Sequence, residues 1–240
     1  MDNCQVVHLD FIIVCDNRCM QTVSHNEFPF FLIEIPKLPT HLYYEGDVSL
    51  LKRRCITIVG TRSITQYGKW CIDTLLGKFL QDLDIAVVSG LARGIDAYVH
   101  RTCLDRGIKT IAIVPGAINS AIPKSNIDIF DQIKKEGLIL AEYPTGTVMG
   151  KEMFILRNRL LAGMSEMTIV IEAGLKSGSL ITANFALEYN RDVYVIPGNI
   201  NNNMSHGCNM LAKQGAGILT CLDDFKEILG MENEQVLLRF

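Results

Sequence analysis

The sequence predicts an α/β fold, and three observations predict it. Short β-branched runs recur at Ile56–Val59, Ile85–Val88, Thr110–Val114, Leu138–Ala141, Thr168–Ile171 and Asp192–Ile196, with a further one at Gly217–Leu219. Their starts lie about 25 to 30 residues apart, the length of one strand plus a crossover helix. The runs are apolar throughout rather than alternating, as strands covered on both faces should be. Helix-like stretches such as Lys69–Asp82 and Ala183–Tyr189 fall between them. The expected architecture is a Rossmann-like, doubly wound, mostly parallel sheet of at least six strands with helices on both faces.

The 240 residues are 48% hydrophobic and 20% charged, enough for one large α/β domain with a small appendage. Residues 1–27 read as a short N-terminal extension with one apolar stretch at Phe11–Val14. Residues 28–53, punctuated by Pro29, Pro36 and Pro39, read as an extended linker ending at Tyr43–Gly46. Residues 54–222 form the core domain, and residues 223–240 an acidic tail or helix.

Twenty-three Lys and Arg against 26 Asp and Glu leave a net charge of −3. The last twenty residues account for all of it: Asp223, Asp224, Glu227, Glu232 and Glu234 stand against Lys226 and Arg239. This argues against a histone-like binder that works by charge alone, and leaves room for a local basic groove. The longest apolar run, Phe11–Cys15, is too short for a membrane helix. Met1–Met20 carries Asp2, Asp10 and Asp16 without a basic start, so no signal peptide is expected and the location expected is cytoplasmic. The eight cysteines are scattered without a CxxC, which suits reduced thiols. Cys15 and Cys19, with His8 and His25 nearby, are too loosely spaced for a closed zinc site and read better as small hydrophobes at a strand end. No metal and no cofactor are expected.

The punctuation after each strand carries the functional information. Gly60-Thr61-Arg62 follows Val59, Ser89-Gly90 follows Val88, Pro115-Gly116 follows Val114, and Pro197-Gly198 follows Ile196. Ligands of parallel sheets sit outside the carboxyl ends of the strands, so these turns should converge on one rim. Glycine there lets backbone approach a ligand, and the next helix N-terminus offers N–H groups to an anion. Several catalytic patterns fail. Gly60, Gly68 and Lys69 lack P-loop spacing, Gly215-Ala216-Gly217 precedes a strand instead of following one, and no HExxH, HxE zinc signature or GxSxG occurs. Nothing in the sequence requires an enzyme.

Three constellations remain. Ser89–Asp96 (SGLARGID) has the anatomy of a phosphate cradle; the competing view is a tight turn whose arginine pairs with Asp96. Lys151, Phe154, Arg157, Asn158 and Arg159 combine cations with a ring, as single-strand binders do. The competing view is an amphipathic helix that buries Phe154, Leu156, Leu160, Leu161 and Met164 and leaves the arginines in water. Glu172–Ser179 offers hydroxyls, glycines and Lys176 ahead of a helix; the competing view is a capped helix start with Ser179 as N-cap.

Taken in order, these strings resemble the DNA-processing protein A family (DprA, also called Smf). The matching strings are IVGTR at Ile58–Arg62 with Tyr67-Gly68, SGLARGID at Ser89–Asp96, Pro115-Gly116, and Phe154 with Arg157–Arg159 running into Leu161–Ser165. KSGSLITA at Lys176–Ala183, Arg191, Pro197-Gly198, Gly207-Cys208-Asn209 and Gly215-Ala216 follow. Two positions depart from the family pattern: Ile155 follows Phe154 where proline is usual, and Ile122 stands where a tyrosine precedes Pro123. The resemblance implies a single-stranded DNA binder rather than an enzyme. Such a protein protects incoming strands and loads the recombinase RecA onto them during natural transformation, working as a homodimer away from the membrane. It implies DNA contacts from Gly60, Thr61 and Arg62; from Ser89, Gly90, Arg93 and Gly94; from Lys151, Phe154, Arg157, Asn158 and Arg159; and from Lys176, Ser177, Gly178 and Ser179. Two other classes stay open: a Rossmann-like nucleotide-processing hydrolase of the phosphoribohydrolase kind (or a nucleotide-binding sensor), and a RecA-facing scaffold whose DNA pocket is degenerate. The loop Glu172–Thr182 lacks the PGGxGTxxE string of those hydrolases.

Overall fold

The structure, a computed structural model, describes residues 11–12, 21–118 and 122–231. Its centre is a nine-stranded sheet. The strands are β2 (Gln21–Ser24), β3 (His41–Gly46), β4 (Arg54–Gly60), β5 (Ile85–Ser89), β6 (Lys109–Val114), β8 (Leu138–Ala141), β9 (Met167–Ile171), β10 (Asp192–Val195) and β11 (Gly217–Ile218), in the order β11-β10-β9-β4-β5-β6-β8-β3-β2. From β11 to β8 all neighbours are parallel; β3 and β2 close one edge antiparallel. Two further short strands, β1 (Phe11–Ile12) and β7 (Ile122–Pro123), pair separately.

The helices are α1 (Phe30–Ile33), α2 (Gln66–Leu75), α3 (Ile95–Asp105), α4 (Ile127–Glu136), α5 (Lys151–Gly163), α6 (Gly178–Glu188), α7 (His206–Lys213) and α8 (Leu222–Ile228). The side-chain period of two divides each central strand between the two faces of the sheet. Cys55 and Val59 of β4 join Val170, Leu160, Leu161, Leu180 and Ala183 in one core cluster. Ile56 and Ile58 join Ile169, Ile171, Cys71, Ile72, Ile95, Val99 and Phe225 in another, on the opposite face. Each such aliphatic side chain contributes about 1.5–3 kcal/mol when fully buried. Thr57, fully buried in β4, satisfies its hydroxyl by donating to Leu161 O (2.8 Å), which ties α5 to the sheet.

All seven strands expected from the sequence are present. Two expectations about extent need correction. Residues 28–53 are not an extended linker. They contain α1 and β3, and β3 pairs with β8 (Tyr44 opposite Leu140). Phe28, Leu32, Ile35, Leu42, Leu50 and Leu51 are buried in the same core as the central strands. The prolines punctuate elements here instead of keeping the chain extended: Pro29 sits at the N-cap of α1, where its fixed φ and missing N–H cost nothing. The helix expected over Lys69–Asp82 starts earlier, at Gln66, and breaks at Leu75; a separate 3₁₀ turn follows at Lys78–Gln81. Cys15, Cys19 and His8, most of the N-terminal extension and the last nine residues of the acidic tail lie outside the described residues. Within the described residues Cys55, Cys71, Cys103 and Cys208 are buried free thiols and Cys221 is an exposed one.

Candidate nucleic-acid interface at the switch point of the sheet

The chain crosses from β4 to β5 on one side, and β9 takes the other side of β4. Strand order therefore reverses at β4, and the carboxyl ends of β4 and β9 flank a crevice, where open α/β sheets bind ligands. A cavity of about 500 Å³ opens there. Its walls come from Gly60, Thr61 and Arg62 after β4; Phe154, Arg157 and Asn158 of α5; and Lys176, Ser177, Gly178 and Ser179 at the start of α6.

Backbone pairing builds the Arg62 wall. Thr61 N–H donates to Glu172 O (2.7 Å), and Thr61 O accepts from Ile95 N–H (3.0 Å). Thr65 caps α2 by accepting from Tyr67 N–H and Gly68 N–H, and its own N–H donates to the Glu172 carboxylate (2.9 Å). The short segment bearing Arg62 is thus held at both ends by Glu172. That residue is buried with φ of 51°, a strained conformation for a side chain with a Cβ. Arg62 is exposed, and its guanidinium lies 5.8 Å from the centroid of the half-buried Phe154 ring. A cation over a ring face is favourable and leaves the outer N–H groups for an anion.

The three residues Arg157, Asn158 and Arg159 are all buried. Side chains of consecutive helical residues diverge, so each ties α5 to a different loop. Arg157 donates to Gly90 O (2.6 Å) and to Ile113 O, at the ends of β5 and β6. Asn158 donates to Gly178 O (3.2 Å). Arg159 pairs with Glu142, just beyond β8. Burial lowers the Arg157 guanidinium to about 10, against the opposing pull of Asp96 beside it. Burial raises the Asp96 carboxyl, and Arg157 opposes that shift. The amphipathic alternative for this helix holds in part: Leu160, Leu161 and Met164 are buried as it expects, but Leu156 is exposed, Phe154 is half-buried and the arginines are inside instead of in water. Buried hydrogen-bond partners for the guanidinium groups, invisible in the spacing, draw the arginines inward beside that apolar stripe.

The glycines divide in the same way. A Cβ on Gly60 would lie 1.9 Å from Ile171 O, and one on Gly94 (φ 81°) 2.3 Å from Thr61 O. Gly90 is enclosed by Arg157 and Asp96, each 2.7 Å from a Cβ placed there. These glycines let protein backbone meet protein. Gly178 is exposed, with nothing within 4 Å of its Cβ position. The N-cap of α6 is Ser177, not Ser179; its hydroxyl accepts from Ser179 N–H.

Ten of the sixteen expected positions therefore line one cavity. Ser89, Gly90 and Gly94 lie behind it, and the fully buried Ser89 hydroxyl donates to Ile58 O (2.7 Å). Arg93 and Lys151 are exposed outside the lining, Lys151 one turn before Phe154, and Arg159 is turned to Glu142. Asp96 and Met204 also line the cavity and were not among the expected contacts. Asp96 was legible within SGLARGID; Met204, in a loop with no regular pattern, had no signal. Among the described residues, no three His, Cys, Asp or Glu side chains stand where they could hold a metal ion, and no helix is long and apolar enough to cross a membrane.

Fold and cavity together define a Rossmann-like protein with a basic, ring-bearing cleft at its switch point. Residues 19–230 match the family model described as DNA recombination-mediator protein A. The DNA processing protein DprA of Streptococcus pneumoniae is 39% identical over 199 residues, which cover 82% of this chain and 69% of that protein. The X-ray structure of the S. pneumoniae protein matches with a TM-score of 0.82 at 35% identity, over 90% of this chain and 76% of that one. A structure of DNA processing protein A from Helicobacter pylori, reported for its single-stranded DNA binding mode, matches with a TM-score of 0.79 at 31% identity, over 88% of this chain and 95% of that one. The chain belongs to the DNA recombination-mediator protein A family.

Proposed function

We propose that the cavity seats single-stranded DNA, and that the protein protects incoming strands and hands them to the recombinase RecA during natural transformation. It would work in the cytoplasm, as a homodimer, and as a binding protein rather than an enzyme. One observation carries the DNA-binding part: Arg62 lies over the Phe154 ring at the mouth of a cavity whose other wall is the open Lys176–Ser179 loop. Cations and N–H groups suit phosphates, and a ring suits base faces, which every sequence offers. The single-stranded DNA binding mode reported for the H. pylori relative supports the same reading.

Fluorescence anisotropy with single- and double-stranded oligonucleotides across a salt series tests it. Binding should favour single strands and weaken as salt rises, because phosphate contacts release counterions. Replacing Arg62 and Lys176 together with alanine should weaken binding about tenfold or more. It should also flatten the log–log salt slope by about one for each phosphate that is no longer neutralised. A preference for duplex, or a double variant that binds like the parent, would overturn the assignment. RecA capture that depends on bound oligonucleotide tests the handover.

A further inference from the structure

We propose that the exposed ring of Trp70, stacked on Tyr67 at the start of α2, is a second base-stacking platform for a single strand that leaves the cavity past Arg62. This rests on reading the cavity as a seat for single-stranded DNA. Trp70 is the only tryptophan of the chain, and it is 63% exposed. Residues three apart on a helix are neighbours, and the Tyr67 and Trp70 rings stack with centroids 6.2 Å apart and planes at 21°. Tyr67 O–H donates to Pro197 O (2.7 Å), which fixes the inner ring. A pair already ordered in the free protein loses little side-chain freedom when a base stacks on it.

Position and charge point to nucleic acid as the occupant. Pro197 begins the loop that leads to Met204, and Met204 lines the cavity and accepts from Thr61 Oγ1. Arg62 and Trp70 are joined by four residues of loop and four of helix, so they are at most about 20 Å apart. At a stacked spacing of about 3.4 Å, that is no more than about six nucleotides. Two carboxylates of this region are already engaged. Asp73, one turn beyond Trp70, pairs with Arg106 at 2.9 Å, and Glu172 is turned inward to Thr65. Lys69, beside Trp70, adds a cation held over the Tyr98 ring. Every base has a π face, so such a platform tolerates any sequence.

The sole tryptophan makes the test direct. The full chain is titrated with unlabelled dT2 and dT12 while tryptophan emission is followed, and dT12 binding is measured separately by anisotropy. A twelve-nucleotide strand, long enough to cover that distance, should quench the emission more strongly than a dinucleotide does. Trp70→Ala should weaken dT12 binding about five- to tenfold, and Trp70→Phe should restore most of it. If dT12 binds while emission stays constant and Trp70→Ala is neutral, the platform is refuted and the cavity reading stands. If dT12 does not bind even at low salt, the cavity reading fails and takes the platform with it. An emission change that follows protein concentration without DNA would assign this face to a second copy of the chain, and would also refute the platform.

Discussion

Two loops of this molecule read alike in sequence and behave differently in space. Ser89–Asp96 and Gly174–Ser179 each follow a fully buried strand, each contain two glycines, at least one serine and a cation, and each lead into a helix of eleven residues. Most of the first is consumed by the protein, although Arg93 is exposed and Ala92 and Asp96 line the cavity. Ser89 donates to Ile58 O, Ile95 N–H donates to Thr61 O, Gly90 is wedged against Arg157, and Asn126 holds Leu91 (φ 54°) through its carbonyl at 3.0 Å. The second faces solvent, with Lys176 and Gly178 exposed on the cavity wall. A glycine-rich strand-to-helix turn is therefore not a ligand site by composition. The destination of its N–H groups and the space over its glycines decide.

The comparison can be broken most sharply at Arg157. Arg157→Leu leaves Asp96 buried without the cation that faces it, and should cost about 3–5 kcal/mol in urea unfolding. A smaller loss would mean that this brace is not what holds the first loop.

The glycines separate the loops next. Gly94→Ala forces a Cβ against Thr61 O at a positive φ and should cost about 2–4 kcal/mol. Gly178→Ala meets open space and should change stability by no more than about 0.5 kcal/mol, so any effect it has should appear in DNA binding. Equal destabilisation by the two would erase the distinction.

A further effect concerns pH. His100, fully buried under the first loop, is held down to about 3 by burial; its Nδ1 meets Thr110 Oγ1 at 2.8 Å, and its Nε2 has no partner. Its folded value lies below its unfolded value near 6.5, so the unfolded chain binds the extra proton as pH falls. The stability His100 supports is full above about 6.5 and is lost on acidification toward the folded value, by about 2 kcal/mol between pH 7 and 5. Asp96, raised by burial, acts in the opposite sense: its contribution is held at low pH and lost as pH rises through its folded value. Urea midpoints for the parent and His100→Gln separate the two, since only the parent should show the acid loss assigned to the imidazole. Parallel curves would rule it out.

Much of the fold was legible because buried parallel strands leave an unmistakable record. Ile56–Val59 and Thr168–Ile171 are dominated by β-branched residues that are buried on both sides, as in a sheet covered twice. The elements of residues 28–53 are not legible in the sequence because short edge elements between prolines lack a period long enough to see; β3 gains its pairing from β8, nearly a hundred residues on. In the site, Arg62, Phe154 and Lys176 were legible from residue type. The inward turn of Arg157 and Arg159 was not, because their carbonyl and carboxylate partners come from β5, β6 and the end of β8.

The residues on their own determined the layered α/β architecture, the rim on which functional turns gather, and the family to which they belong, because strand patterning and turn chemistry are local properties. Which glycine loop is open, which arginines are solvent-facing and where the only tryptophan stands relative to the cleft were decided by tertiary packing. A hydrogen-bond donor goes to whichever acceptor the fold brings within reach, and that acceptor is set by segments far away in the chain.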